Sequence, residues 1–140
     1  MVILFDTSAI AKRYRDEPGR DQVEHWLGLA DDVMMAAHCK VEVASSLCRD
    51  HLNGLTTDAQ LALDLDFVEK DFDDFSIVSL DRRIEKLAIA AMTGNRLRAM
   101  DALHIATAQA VYVDLFVTAD KAQARVAQAM LLATHLIEVV

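Results

Sequence analysis

Arg98 to Lys121 reads RAMDALHIATAQAVYVDLFVTADK. Its first half sets Leu103, Ala106, Thr107 and Ala110 at i, i+3, i+4 and i+7, the spacing of one helix face, with Asp101 in the first turn. Its second half, Leu115 to Thr118, is a short β-rich run closed by Asp120, and it predicts a strand buried on both faces. In an open parallel sheet the carboxyl ends of such strands border the binding crevice. One helix start and one strand end therefore offer a carboxylate each to the same crevice.

The same alternation extends outward in both directions. Met1 to Phe5 predicts a buried strand running into Asp6-Thr7-Ser8, three helix-capping residue types, with a helix over Ala9 to Arg15 that Pro18-Gly19 breaks. Arg20 to Ala30 predicts a second helix and Val33 to Ala37 a second strand. Lys40 to Asn53 predicts a helix with Val41, Ala44, Ser45, Cys48 and Leu52 as its inner stripe, ended by a left-handed Gly54. Thr57 and Gln60 form a capping-box pattern for a helix reaching about Asp74. There Leu61, Leu65, Val68 and Phe72 face inward, while Asp64, Asp66, Glu69, Asp71 and Asp73 form a solvated face. Ile77 to Leu80 predicts a strand, Arg82 to Met92 a helix, Lys121 to Leu132 another, and Leu136 to Val140 a last strand. Without internal repeats or linkers, this alternation predicts a single domain over residues 1–140. Its class is α/β, a three-layer α/β/α sandwich around a central, mainly parallel sheet.

Composition narrows the function classes. The longest unbroken apolar run, Leu87 to Met92, is far too short to cross a bilayer, and only five apolar residues precede Asp6 with no basic segment before them. A cytoplasmic protein with no membrane partner is expected, with Cys39 and Cys48 as reduced thiols. Acids outnumber bases 22 to 14, a net charge of −8, which disfavours nucleic-acid binding through a general basic footprint. Acidity concentrated where divalent cations sit is compatible with nucleic-acid cleavage.

Asp6, Glu42, Asp101 and Asp120 each stand at the end of a predicted element, and each has a structural alternative as a helix cap or an ordinary helix residue. As a set they can meet at one edge of a parallel sheet. Carboxylates about 5 Å apart repel by roughly 3 kcal/mol per pair at an effective dielectric near 20. Six such pairs rival the roughly 5 to 15 kcal/mol net stability of a domain, so the group must take up protons or share cations. Hard oxygen donors select Mg²⁺ or Mn²⁺, ions that activate water and clamp the oxygens of an in-line phosphoryl displacement. Thr118, two before Asp120, and Ser8, two after Asp6, offer hydroxyls to the same place. His104, three after Asp101, is expected to be packed or hydrogen-bonded, because oxygen-rich magnesium sites rarely use imidazole.

FDTSAIAKRYRDEPG, KVEVASSLCR, LRAMDALHIATA and FVTADK, in that order, resemble the successive signatures of PIN-domain nucleases, and in particular of VapC-type toxins of toxin–antitoxin pairs. The resemblance assigns the four family acids to Asp6, Glu42, Asp101 and Asp120, with Ser8 and Thr118 as site hydroxyls. It implies a Mg²⁺- or Mn²⁺-dependent endoribonuclease that leaves 5′-phosphate and 3′-hydroxyl ends. It further implies a homodimer held silent by a small antitoxin whose tail lies over the cleft. Lys12, Arg13, Arg15, Arg49, Arg96, Arg98 and Lys121 lie near these acids in sequence and are candidate phosphate contacts. The alternative is a PIN-like module that binds RNA or a protein without cutting. Aspartyl-phosphate chemistry fits poorly, since Ser8 stands where a phosphatase of that type needs a second Asp.

Overall fold

In the computed structural model, which describes residues 1–139, the chain runs β1 (Val2–Phe5), α1 (Thr7–Arg15), α2 (Arg20–Leu29), β2 (Asp32–Ala36), α3 (Cys39–Leu52) and α4 (Asp58–Asp74). It continues through β3 (Ser76–Val78), α5 (Arg82–Met92), α6 (Ala99–Ala110), β4 (Leu115–Thr118), α7 (Lys121–Ala129) and β5 (Thr134–Leu136). The strands form one sheet in the order β3-β2-β1-β4-β5 with every neighbouring pair parallel. The expected three-layer α/β/α architecture is what the chain adopts.

Side-chain alternation on β1 and β4 makes the layers. Ile3, Phe5, Leu115 and Val117 point into a core shared with α1, α2, α3 and α4. Leu4 and Phe116 point to the other face, against Ile105 and Ala108 of α6 and Val126 and Ala127 of α7. Strands buried on both faces need continuous apolar runs, which is what VILF and LFVT supply. Small residues let α5 and α6 approach closely, Ala88 and Ala91 meeting Ala102 and Ala106. From β1 the chain turns to β2 and β3 on one side, then crosses to β4 on the other. The crevice of this sheet therefore opens at the carboxyl ends of β1 and β4.

Three expectations need correction. Helix α3 buries Cys39, Val43, Ser46 and Leu47, while Val41 and Leu52 of the expected inner stripe are 71% and 82% exposed. The sequence carries two stripes with helical spacing, and contact with α1 and α4 selects the second. That choice puts Glu42 at the border between core and crevice. The last strand is Thr134–Leu136 rather than Leu136–Val140, and Val140 lies outside the described residues. Helix α7 stops at Ala129 and Leu131 turns left-handed, with φ 66°, which brings the chain back to the sheet sooner than the apolar pattern suggested.

The third correction concerns Asp71, expected on a solvated face. It accepts hydrogen bonds from Arg13 Nε at 2.7 Å and Tyr14 Oη at 2.8 Å, while Arg13 Nη1 also donates to Glu24. Burial first, then the hydrogen bond to Asp71, pushes the Tyr14 hydroxyl pKa up. This network ties α1 to α4 and fixes the helix that follows Asp6. Asp71→Leu, which strands the Tyr14 hydroxyl and half of the Arg13 guanidinium, is expected to cost about 2 to 3 kcal/mol in urea unfolding. A loss below about 0.5 kcal/mol would mean the network behaves as an ordinary surface pair.

Candidate active site

A cleft of about 800 Å³ opens at the carboxyl ends of β1 and β4, and Asp6, Glu42, Asp101 and Asp120 all line it. Each arrives from a different element. Asp6 is the N-cap of α1, accepting from Ala9 N at 2.9 Å, and Asp120 is the N-cap of α7, accepting from Gln123 N at 3.0 Å. Glu42 and Asp101 stand in the first turns of α3 and α6. The capping and site readings of Asp6 and Asp120 are thus compatible, since each carboxylate caps with one oxygen.

Asp6 is 1% exposed, the deepest of the four. Its backbone N–H donates to Val117 O at 3.0 Å, extending the β1–β4 pairing past the strand end. Ser8 Oγ donates to its Oδ1 at 2.7 Å, and the buried Thr118 hydroxyl donates to its Oδ2. Thr118 Oγ1 in turn accepts from Asp120 N at 3.0 Å, and Ser8 Oγ accepts from Ala119 N at 2.9 Å. Both hydroxyls singled out in the sequence therefore lock the end of β1 to the end of β4. Burial raises the Asp6 pKa above its ordinary 3.8, against the opposing pull of His104, Thr118, Ser8 and the Ala9 amide.

Glu42 is held differently. Its Oε1 accepts from Thr7 Oγ1 at 2.6 Å and from His104 Nε2 at 2.8 Å, and His38 Nε2 lies 3.2 Å away. Burial would raise its pKa, but His104, His38 and Thr7 outweigh that and hold it well below the usual carboxylate range. Asp101 takes a 3.3 Å contact from Arg98 Nε, and its backbone carbonyl accepts from Gln123 Nε2 at 3.1 Å, tying α6 to α7. Thr7, His38 and Gln123 were not singled out as site residues. Thr7 followed the first acid directly, which was a usable signal, whereas nothing local marks His38 or Gln123.

The cations sort into two groups. Arg13 is consumed by Asp71 and Glu24, and Arg15 by Asp50 and Glu17, so these two are structural. Lys12, Arg15, Arg49 and Arg98 line the cleft, Lys12 with its ammonium on Pro18 O, Arg15 in its pairs with Asp50 and Glu17, and Arg98 exposed over Asp101. Arg96 and Lys121 are not among the lining residues. The donor set has the chemistry of a hard-cation site, four carboxylates from four elements lining one cleft, but among the described residues no three of them bring oxygens within 4.8 Å of one another, so closing on one ion requires side-chain movement or bridging water.

A family model described as the PIN domain matches residues 3–129. Among solved structures, FitAcB from Neisseria gonorrhoeae superposes with a TM-score of 0.70 at 19% identity, covering 94% of this chain and 95% of that one. VapBC2 from Rickettsia felis, bound to a promoter DNA fragment, gives 0.74 at 13% identity over 99% and 100% of the two chains. Mycobacterium tuberculosis VapC20, described as a sarcin–ricin loop cleaving toxin, gives 0.68 at 14% identity over 88% and 93%. No curated protein matches the chain in sequence.

The raised Asp6 pKa sets a pH dependence. The folded state binds this proton more tightly than the unfolded chain, so its contribution to stability is full below the ordinary carboxylate pKa and is lost as pH rises through the folded value. Asp6→Asn removes that loss. In chelator, the stability of the variant relative to the wild type is expected to improve as pH rises above the ordinary carboxylate pKa, by up to about 1.4 kcal/mol per pH unit until Asp6 is ionised in the folded state. A pH-independent difference in urea midpoints would show that Asp6 ionises as an ordinary surface acid.

Proposed function

The chain belongs to the PIN domain family, and from that premise we propose that it is a Mg²⁺- or Mn²⁺-dependent endoribonuclease acting as the toxin of a toxin–antitoxin pair. The single observation that carries this reading is the convergence of Asp6, Glu42, Asp101 and Asp120 on one cleft from four separate elements. The folds it resembles include FitAcB, VapBC2 and the sarcin–ricin loop cleaving toxin VapC20.

The four carboxylates would hold the ion, directly or through water. A bound divalent ion supplies Lewis acidity to water and to the phosphate oxygens. The chain's own residues supply orientation. Thr118 and Ser8 fix the plane of Asp6, Thr7 fixes one oxygen of Glu42, and the α7 cap fixes one oxygen of Asp120. Arg49 and Arg98 at the cleft are placed to meet RNA phosphates, and Lys12 would join them by leaving Pro18.

We read residues 1–140 as one nuclease domain working in the cytoplasm; among the described residues no helix is long and apolar enough to cross a membrane. A homodimer and a cognate antitoxin are the proposed protein partners. The outward stripe of α3, with Val41, Cys48 and Leu52 exposed, and Leu55 beyond it, offers apolar surface for such contacts. The second reading, a catalytically silent module, draws on the ability of Asp6 to relieve its burial by taking a proton instead of a cation.

Mn²⁺ at about a hundred times its dissociation constant should stabilise the wild type by about 2.7 kcal/mol, a Tm rise of roughly 5 to 10 °C. Asp101→Asn is expected to abolish both that rise and RNA cleavage. Sequencing of RNA ends after a short pulse of expression should find 5′-phosphate and 3′-hydroxyl termini at a narrow set of sites. A wild type that ignores Mn²⁺ moves the silent-module reading ahead.

Arg49→Ala is expected to weaken RNA binding and to lower the slope of log K against log salt by about one, while leaving the Mn²⁺ shift unchanged. An unaltered salt slope would remove Arg49 from the substrate path.

A further inference from the structure

His38, Glu42 and His104 bring one ligand atom each to within 4.8 Å of one another, and the two imidazole rings lie 4.3 Å apart. Two readings compete: a transition-metal site made of two imidazoles and a carboxylate, or a clamp of two imidazoles on Glu42. Proton placement decides between them. His104 is 1% exposed, and its Nε2 faces the Glu42 carboxylate, a pure acceptor, so Nε2 carries a hydrogen. The other ring nitrogen, Nδ1, is buried with no hydrogen-bond partner. For Nε2 to bind a metal, the hydrogen would have to move to Nδ1, where nothing accepts it. Metal-ligating histidines almost always donate their second N–H to an acceptor.

His38 points the same way. Its Nε2 lies 2.9 Å from Met100 O and 3.2 Å from Glu42 Oε1, two acceptors, so it too is a donor here and spans from α3 to the first turn of α6. With Thr7 at 2.6 Å and His104 at 2.8 Å, two donors converge on one carboxylate oxygen, Oε1, and His38 Nε2 lies against it at 3.2 Å. Among the described residues Oε2 accepts no hydrogen bond.

From this geometry we propose that His104 and His38 are positioning residues. They saturate Oε1 of Glu42 and present Oε2 alone to the cation. The inference rests on the proposed metal-dependent activity, which it deepens by giving the buried histidine its function. The two imidazoles do not themselves bind the ion. They set the distance and angle at which Glu42 meets it, and they tie that angle to the α6 turn that carries Asp101.

The test compares His104→Phe, which keeps the ring volume and loses the donor, with His104→Gln, which keeps a donor near the Nε2 position. His104→Phe is expected to raise the Mn²⁺ concentration at the midpoint of thermal stabilisation by about ten- to a hundredfold. Cleavage by His104→Phe should fall at limiting Mn²⁺ and recover at saturating Mn²⁺, whereas Asp101→Asn should not recover. His104→Gln should stay within a fewfold of the wild type. If His104→Phe does not fold, Thr7→Val, which deletes the other donor to Oε1, is expected to shift the midpoint the same way.

A wild-type Mn²⁺ midpoint in folded His104→Phe would overturn the proposal. So would micromolar Zn²⁺ binding lost in both His38→Phe and His104→Phe, which would make the imidazoles ligands. Nitrogen-15 spectra of the imidazoles keep failure of the clamp separate from failure of the proposed activity. If the wild type neither cleaves nor responds to Mn²⁺, the activity falls, yet His104 should still carry a hydrogen on Nε2. A bare Nε2, with the ring's only N–H on Nδ1, would end the clamp on its own.

Discussion

A carboxylate at the end of the central strand, almost sealed from water, is the constraint on which the rest of this structure depends. Asp6 lies where the sheet divides, with β2 on one side of β1 and β4 on the other. A buried ionised group is tolerated only when donors or opposite charge replace its water. The chain provides donors from three directions: the Ala9 amide at the start of α1, the Ser8 hydroxyl, and the Thr118 hydroxyl reaching across from β4. The residues that solvate Asp6 also join the two strands, so the sheet's division and the candidate site have one origin.

Helix termini extend the same logic to the other acids. All four carboxylates belong to helix N-caps or first turns, where the partial positive end of the helix favours negative charge. That favour amounts to about 0.3 to 1 kcal/mol per group. Repulsion between carboxylates drawn to about 5 Å of one another would be several times larger. Helix ends can therefore gather the acids but cannot balance them. Burial, and not a neighbouring acid, pushes the Asp6 pKa up, while His104, His38 and Thr7 around Glu42 hold its pKa down.

Much of this was legible in the sequence where one kind of residue had one physical use. Continuous apolar runs located β1 and β4, the Thr57 cap opened α4, and Gly54 closed the turn after α3 with φ 76°. The convergence of the four acids on one cleft followed from element ends in a parallel sheet. What stayed hidden depended on partners distant in the chain. Two stripes on α3 had equal periodicity, and only α1 and α4 decided which was buried. Asp71 looked like its neighbouring acids until Arg13 and Tyr14, 58 and 57 residues away, were brought against it. His38 carried no local mark because its work is done on residues from α3 and α6.

The acidic balance also takes on a different meaning in three dimensions. Part of the basic complement is spent inside the protein: Arg13 and Arg15 face acids, and Arg20 pairs with Asp16 and Glu24. Four cations line the cleft, but Arg15 is paired with Asp50 and Lys12 holds Pro18 O, which leaves Arg49 and Arg98 as the ones not committed elsewhere. Nucleic-acid affinity that depends on counterion release scales with the number of phosphates neutralised. With few cations to contribute, a phosphate backbone approaching this cleft meets net repulsion unless a divalent ion already sits among the acids. On the proposed activity, the ion would then supply much of the attraction as well as the chemistry. On that same proposal, an RNA held mainly at the point of cleavage would be selected by its shape there, and the negative charge over the rest of the surface would turn away strands that do not fit.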